Sequence, residues 1–183
     1  MATIKVSKLD AARRQLDGAI QLWFHEGDVV AIHALACAAH QVIQDIAEQK
    51  GARAYHLDDL IKQVVEPQHQ DEARQNLRKP MMFIKHADRD PHAVLELDSA
   101  ISDFFIMLAI CCLRDIGESV SDIQRAFVIY NDIHATGWFK EDSLDSLLQR
   151  VGVNGIQDMR NIKKRDFLKG ALLATAQIKT RGL

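Results

Sequence analysis

Residues 9–51 read LDAARRQLDGAIQLWFHEGDVVAIHALACAAHQVIQDIAEQKG, and their spacing decides the fold. Leu9, Ala12, Leu16, Ala19, Ile20 and Trp23 recur at steps of three and four, which puts them on one face of a helix. Ser7 followed by Asp10 has the form of a helix-opening cap. Gly27 supplies a left-handed stop, and Asp28 caps a second helix that runs to Lys50 before Gly51. In that second helix Ile32, Leu35, Ala36, Ala39, Val42, Ile43 and Ile46 form a broad apolar stripe. Two such helices joined by so short a turn make a long antiparallel hairpin, because the connection leaves no room for a crossover.

The same period continues along the chain. A short helix is expected over 58–65, with Pro67 ending or restarting it. A polar helical stretch follows over 68–79, and Pro80 is expected either to kink that helix or to open the next. Residues 88–91 (DRDP) read as a loop, and Asp98 or Ser99 as the cap of the most buried helix, 100–116. Further helices are expected over 121–134, over 142–151 and within 157–178. Strand signals are weak, with no Asn-Gly hairpin and no sustained alternation of β-branched residues. The expectation is an all-α multi-helix bundle of about seven or eight helices. It is read as one domain over 1–183, with a subdivision near 118–121.

With 183 residues, 48% hydrophobic and 26% charged, the chain can bury a core without staples, which excludes disordered, collagen-like and disulfide-scaffold classes. The start, MATIKV, lacks a signal-peptide core, and the longest apolar run, 104–113, is half of what a membrane span needs. Cys37, Cys111 and Cys112 form no paired zinc motif, so reduced thiols, a cytoplasmic setting and no membrane association are expected. The net charge of −2 hides an asymmetry. Residues 160–183 hold Arg160, Lys163, Lys164, Arg165, Lys169, Lys179 and Arg181 against Asp166, a net of +6, while the other 159 residues carry −8. A basic last helix can dock an acidic partner or the acidic body of a second subunit. Nucleic-acid binding through 160–181 is not favoured, because only Phe167 is at hand for base stacking.

Three groups of residues are candidates for chemistry. His33, Cys37 and His40 share one helix face at spacings of four and three, a spacing that can ligate zinc; the competing reading is core, since the same face carries alanines and aliphatics. The densest polar cluster, 86–92, offers His86, Asp88 and Asp90 as acid, base or ion ligands, against the reading of a helix end followed by a solvated turn. Trp23 and Phe24, with His33, could line a ligand pocket, although helical spacing favours core. The chain holds no G-x-S-x-G elbow, phosphate loop or dinucleotide fingerprint, and no His-Asp dipeptide as metal phosphohydrolases need. No cofactor is implied.

Residues 83–91 (FIKHADRDP), together with 8–16 and 32–36, resemble segments of small, uncharacterised bacterial helical proteins that are similar to the HEPN superfamily. That resemblance implies a helical fold, frequent dimerisation and, in active members, a ribonuclease site with an Arg and a His four to six residues apart on a helix. Here Arg78 and His86 are separated by seven residues that include Pro80, and Arg125 and His134 by eight. The expected function is therefore a non-catalytic, self-associating helical module, a homodimer that binds a protein or small ligand. The alternatives are a HEPN-like ribonuclease or other hydrolase using His86 with Arg78, Asp88 or Asp90, and a metal-binding protein using His33, Cys37 and His40.

Overall fold

The computed structural model describes residues 3–53, 55–86, 88, 90–134 and 159–181. Among these the chain is all-helical, with seven α-helices and no strand. They are α1 (Lys8–Phe24), α2 (Val29–Gln49), α3 (Leu57–Val64), α4 (Gln70–Lys85), α5 (Ser99–Asp115), α6 (Asp122–His134) and α7 (Lys164–Arg181). A single 3-10 turn, Pro67–His69, leads into α4. The helix expected over 142–151 lies outside the described residues.

The described chain divides into two compact units: Met1–Trp23 with Gly27–Val120, and Phe24–Glu26 with Ser121–Leu183. In the first, α1 and α2 pack as the expected hairpin and α2 lies along α5. Caps set the ends. Ser7 Oγ accepts from the Asp10 amide (3.0 Å), Asp28 Oδ1 from the Ala31 amide (2.8 Å) and Asp98 Oδ1 from the Ala100 amide (2.9 Å). Arg13 near the start of α1 and Lys50 just past α2 both reach Glu118, at 3.1 and 3.6 Å, which fixes the two helices as antiparallel. The core draws on the stripes read from spacing: Ala12, Leu16, Ala19 and Ile20 meet no solvent, nor do Ala36, Ala39 and Ile43, while Leu9, Leu35, Val42 and Ile46 are half-buried. From α5 it takes Phe105, Ile106, Leu108, Ala109, Ile110 and Leu113. Each fully buried Leu or Ile side chain contributes about 1.5–3 kcal/mol, and each alanine methyl less.

Two local expectations are corrected. The left-handed residue between α1 and α2 is Glu26 (φ 52°), not Gly27. Gly27 instead sits in a close approach: its amide bonds Leu22 O at 2.9 Å, and a Cβ there would stand 3.1 Å from Leu22 Cδ2. Of the two readings of Pro80, opening a new helix does not hold: Pro80 sits buried inside α4. The last helix runs to Arg181, three residues beyond the expected limit.

The second unit is built from α6 and α7, which run antiparallel. Lys179 near the end of α7 meets Asp122 at the start of α6 (2.7 Å), while Arg160 Nε donates to Ile133 O at the other end (2.9 Å). Phe24 is fully buried here, edge-on to Tyr130 (5.8 Å) and stacked with Phe167 (6.3 Å).

Candidate functional site

The candidate residues fall into separate places. Trp23 is 7% exposed and Phe24 has no exposure, so both are core side chains rather than the walls of an open pocket.

His33 and Cys37 come together as the spacing of four dictates. Cys37 Sγ lies 3.3 Å from His33 Nε2, and His33 Nδ1 lies 3.2 Å from Ser102 Oγ on α5. Both contacts are made whichever ring nitrogen carries the proton, because a thiol and a hydroxyl can each donate or accept. The chain Cys37–His33–Ser102 has the outline of a nucleophile with its base. Burial decides otherwise: His33 is fully buried and Cys37 1% exposed. Burial pushes the Cys37 thiol up to about 12, against a smaller opposing pull from Lys85, and burial lowers His33. Both groups are held neutral where no substrate reaches them, whereas a reactive cysteine needs its thiolate and an accessible, electropositive setting.

His40 does not join them. Its ring stands edge-on to Phe105 at 5.2 Å, and its Nε2 is buried with no hydrogen-bond partner. The Nε2 of His56, just before α3, is buried and unpartnered as well. Gln44 Oε1, one turn beyond His40, accepts from the Leu57 amide (3.1 Å) and thereby holds His56 against α2. Desolvation lowers the His40 pKa to about 4; His56 adds to the fall and Asp45 opposes it. Among the described residues no group of three His, Cys, Asp or Glu side chains gathers to hold a metal ion.

The open site lies at the end of α4. Lys79, Met82, Phe83 and His86 recur at helical steps on one face, and with Asp90, Ala93, Val94 and Leu95 they line a cleft of about 210 Å3. The His86 amide closes the helix on Met82 O (3.1 Å), and the residue stands in the cleft lining. His86 Nδ1 is 3.8 Å from Asp88 Oδ1, and Val94 on the far wall is 92% exposed. The structure thus brings His86 and Asp90 to one cleft, with Asp88 beside it. It places Arg78 elsewhere: Nη2 holds both oxygens of Asp58 at 3.0 Å, and Arg74 Nε holds the same carboxylate at 3.0 Å. Partial burial works to raise the Asp58 carboxyl, and the two guanidiniums outweigh it and hold the group below its ordinary value. Arg78 serves to tie α4 to α3.

His56 and Ser102 went unread in the sequence. The one available signal was Ser102 itself, a hydroxyl two residues ahead of the ten-residue apolar run 104–113, with only Asp103 between. α2 has the length and apolarity of a membrane span, a property it shares with the central helices of globular proteins. Comparison of the chain with protein-family models, with curated proteins and with solved structures found no match.

Proposed function

We propose that the chain is a non-catalytic, self-associating helical module whose binding site is the cleft at the end of α4. The observation that carries this reading is the cleft's make-up: Met82, Phe83 and Leu95 provide an apolar floor, with Lys79, His86 and Asp90 at its sides. Apolar lining with a few convergent polar groups is the pattern of recognition sites. Two further facts support binding over chemistry. Cys37 and His33 are sealed in the core, and the Arg78 guanidinium that a ribonuclease would set beside His86 is occupied by Asp58.

Sedimentation equilibrium over a wide concentration range tests self-association. The expected result is a mass rising from 20.6 kDa toward twice that value. A mass that stays at the monomer value at the highest soluble concentration overturns the reading.

A further inference from the structure

Two buried imidazoles outside the cleft each leave a ring nitrogen unbonded. His40 on α2 and His56 just before α3 are 3% and 5% exposed, and the Nε2 of each is buried without a hydrogen-bond partner. A polar atom in that state favours any rearrangement that returns it to water. Among the described residues, the ionisable groups whose charges reach His40 are His56 and Asp45, and none comes from α1, α4 or α5. The group that α5 sets against it is the Phe105 ring, 5.2 Å away.

The segment that carries His56 is lightly held. Gln44 Oε1 on α2 accepts from the Leu57 amide at 3.1 Å, and the buried Cys112 thiol on α5 donates to Tyr55 O at 3.6 Å. Arg53 pairs with Asp59 at 3.5 Å and with Glu48 at 3.8 Å near the surface, where such pairs contribute little. The eight-residue α3 that follows packs chiefly on α4. Tyr55, His56 and Leu57 thus join a short strap to the pocket of His40 on one side and to Cys112 on the other.

We infer that residues 55–57 are an acid-opened latch: proton uptake by His40 lifts the strap from α2 and α5 and uncovers Cys112, while the core of α1, α2 and α5 stays folded. Closed, His40 holds a proton poorly, for burial lowers its pKa to about 4, His56 adds to the fall and Asp45 opposes it. Open, the ring stands in water and regains the ordinary value of about 6.5. The open form takes up the proton first, so opening is favoured as pH falls from about 6.5 to about 4. Between pH ~7.5 and ~4.5 the ratio of open to closed forms rises about 70-fold. The latch does not rest on the binding site or the self-association proposed above.

Thiol labelling with 4,4′-dithiodipyridine, whose protonated leaving group keeps it reactive in acid, reads the opening. In a Cys111→Ser background, labelling of Cys112 and of Cys37 is followed by peptide mass, each relative to the unfolded chain at the same pH. Cys37, sealed between α2 and α5, reports global unfolding. Cys112 is expected to label faster than Cys37 at every pH and to gain about 70-fold from pH ~7.5 to ~4.5, with far-ultraviolet circular dichroism unchanged. His40→Leu should abolish that gain. Gln44→Ala loosens the strap without touching a titrating group, and should raise Cys112 labelling at pH ~7.5 about 2- to 10-fold while Cys37 stays as it was. Equal labelling of the two thiols makes the opening global and overturns the latch. A flat wild-type profile, a gain that persists in His40→Leu, or Cys112 labelling that Gln44→Ala leaves unchanged overturns it as well.

Discussion

Replacing His40 by leucine should change how the first unit responds to acid. The native ring is 3% exposed, packed on Phe105, and its Nε2 has no partner to share a proton's charge. Its pKa therefore falls to about 4, against 6.5 in an unfolded chain. Because the native value is the lower one, the unfolded state takes up the proton first. Stability is complete above the unfolded value and is lost as pH falls from about 6.5 to about 4. A difference of about 2.5 units is worth about 3 kcal/mol in full, of which about 2–3 is lost by pH ~4.5.

His40→Leu removes the titrating group and also the buried nitrogen without a partner. At about pH 7.5 the variant should lie within about 1–2 kcal/mol of wild type, since an apolar replacement of a poorly satisfied polar group is close to neutral. At about pH 4.5 it should be more stable than wild type by about 2 kcal/mol relative to that starting point. His33, also lowered by burial, leaves some acid sensitivity in the variant. Urea unfolding followed by far-ultraviolet circular dichroism at a series of pH values measures the difference. Parallel stability–pH curves for the two proteins would refute the argument, for the acid loss would then come from other groups.

Ser102→Ala leaves the buried Nδ1 of His33 without its hydrogen-bond partner and should cost about 1–3 kcal/mol in urea unfolding; an unchanged midpoint would show that the contact carries nothing. Asp28→Ala removes the cap on the Ala31 amide and should cost about 1 kcal/mol, whereas Asp28→Asn, which can still accept, should cost less. Asp58→Asn breaks the charge that holds Arg74 and Arg78. The carboxylate is half-exposed, so the loss should stay below about 1 kcal/mol and shrink in high salt, and hydrogen exchange in α3 that is unaltered by the substitution would contradict the tie. Iodoacetamide at neutral pH should leave Cys37 and Cys112 unlabelled in the native protein and label them after unfolding; rapid native alkylation of Cys37 would show that the Cys37–His33 contact is open to solvent.

Much of the fold was legible because it is written in local terms. Asp28 and Asp98 cap because a short side-chain acceptor meets unpaired amides at any helix start. Most of the α1 stripe, and Ile32, Ala36, Ala39 and Ile43 of the α2 stripe, came out buried because a helix turns every 3.6 residues whatever surrounds it. Where the reading failed, a neighbour decided. The left-handed residue is Glu26, and Gly27 instead brings the backbone close to Leu22. At Pro80 the sequence left open whether the helix ran on or restarted, and the structure has it buried inside α4.

The candidate chemistry divides in the same way. Spacing along α2 was enough to put His33 and Cys37 side by side, and the helix period alone determines that contact. Whether they face solvent, metal or core depends on α5, which seals them with Phe105 and supplies Ser102 from 69 residues away. Arg78 and His86 are neighbours in sequence, yet Asp58 takes the arginine and the loop that carries Asp90 takes the histidine. The sequence by itself determined which side chains share a helix face, because that follows from backbone geometry within a few residues. Only the tertiary structure decided which face is dry, and desolvation, which sets the protonation of His33, Cys37 and His40, depends on chain segments far apart in sequence.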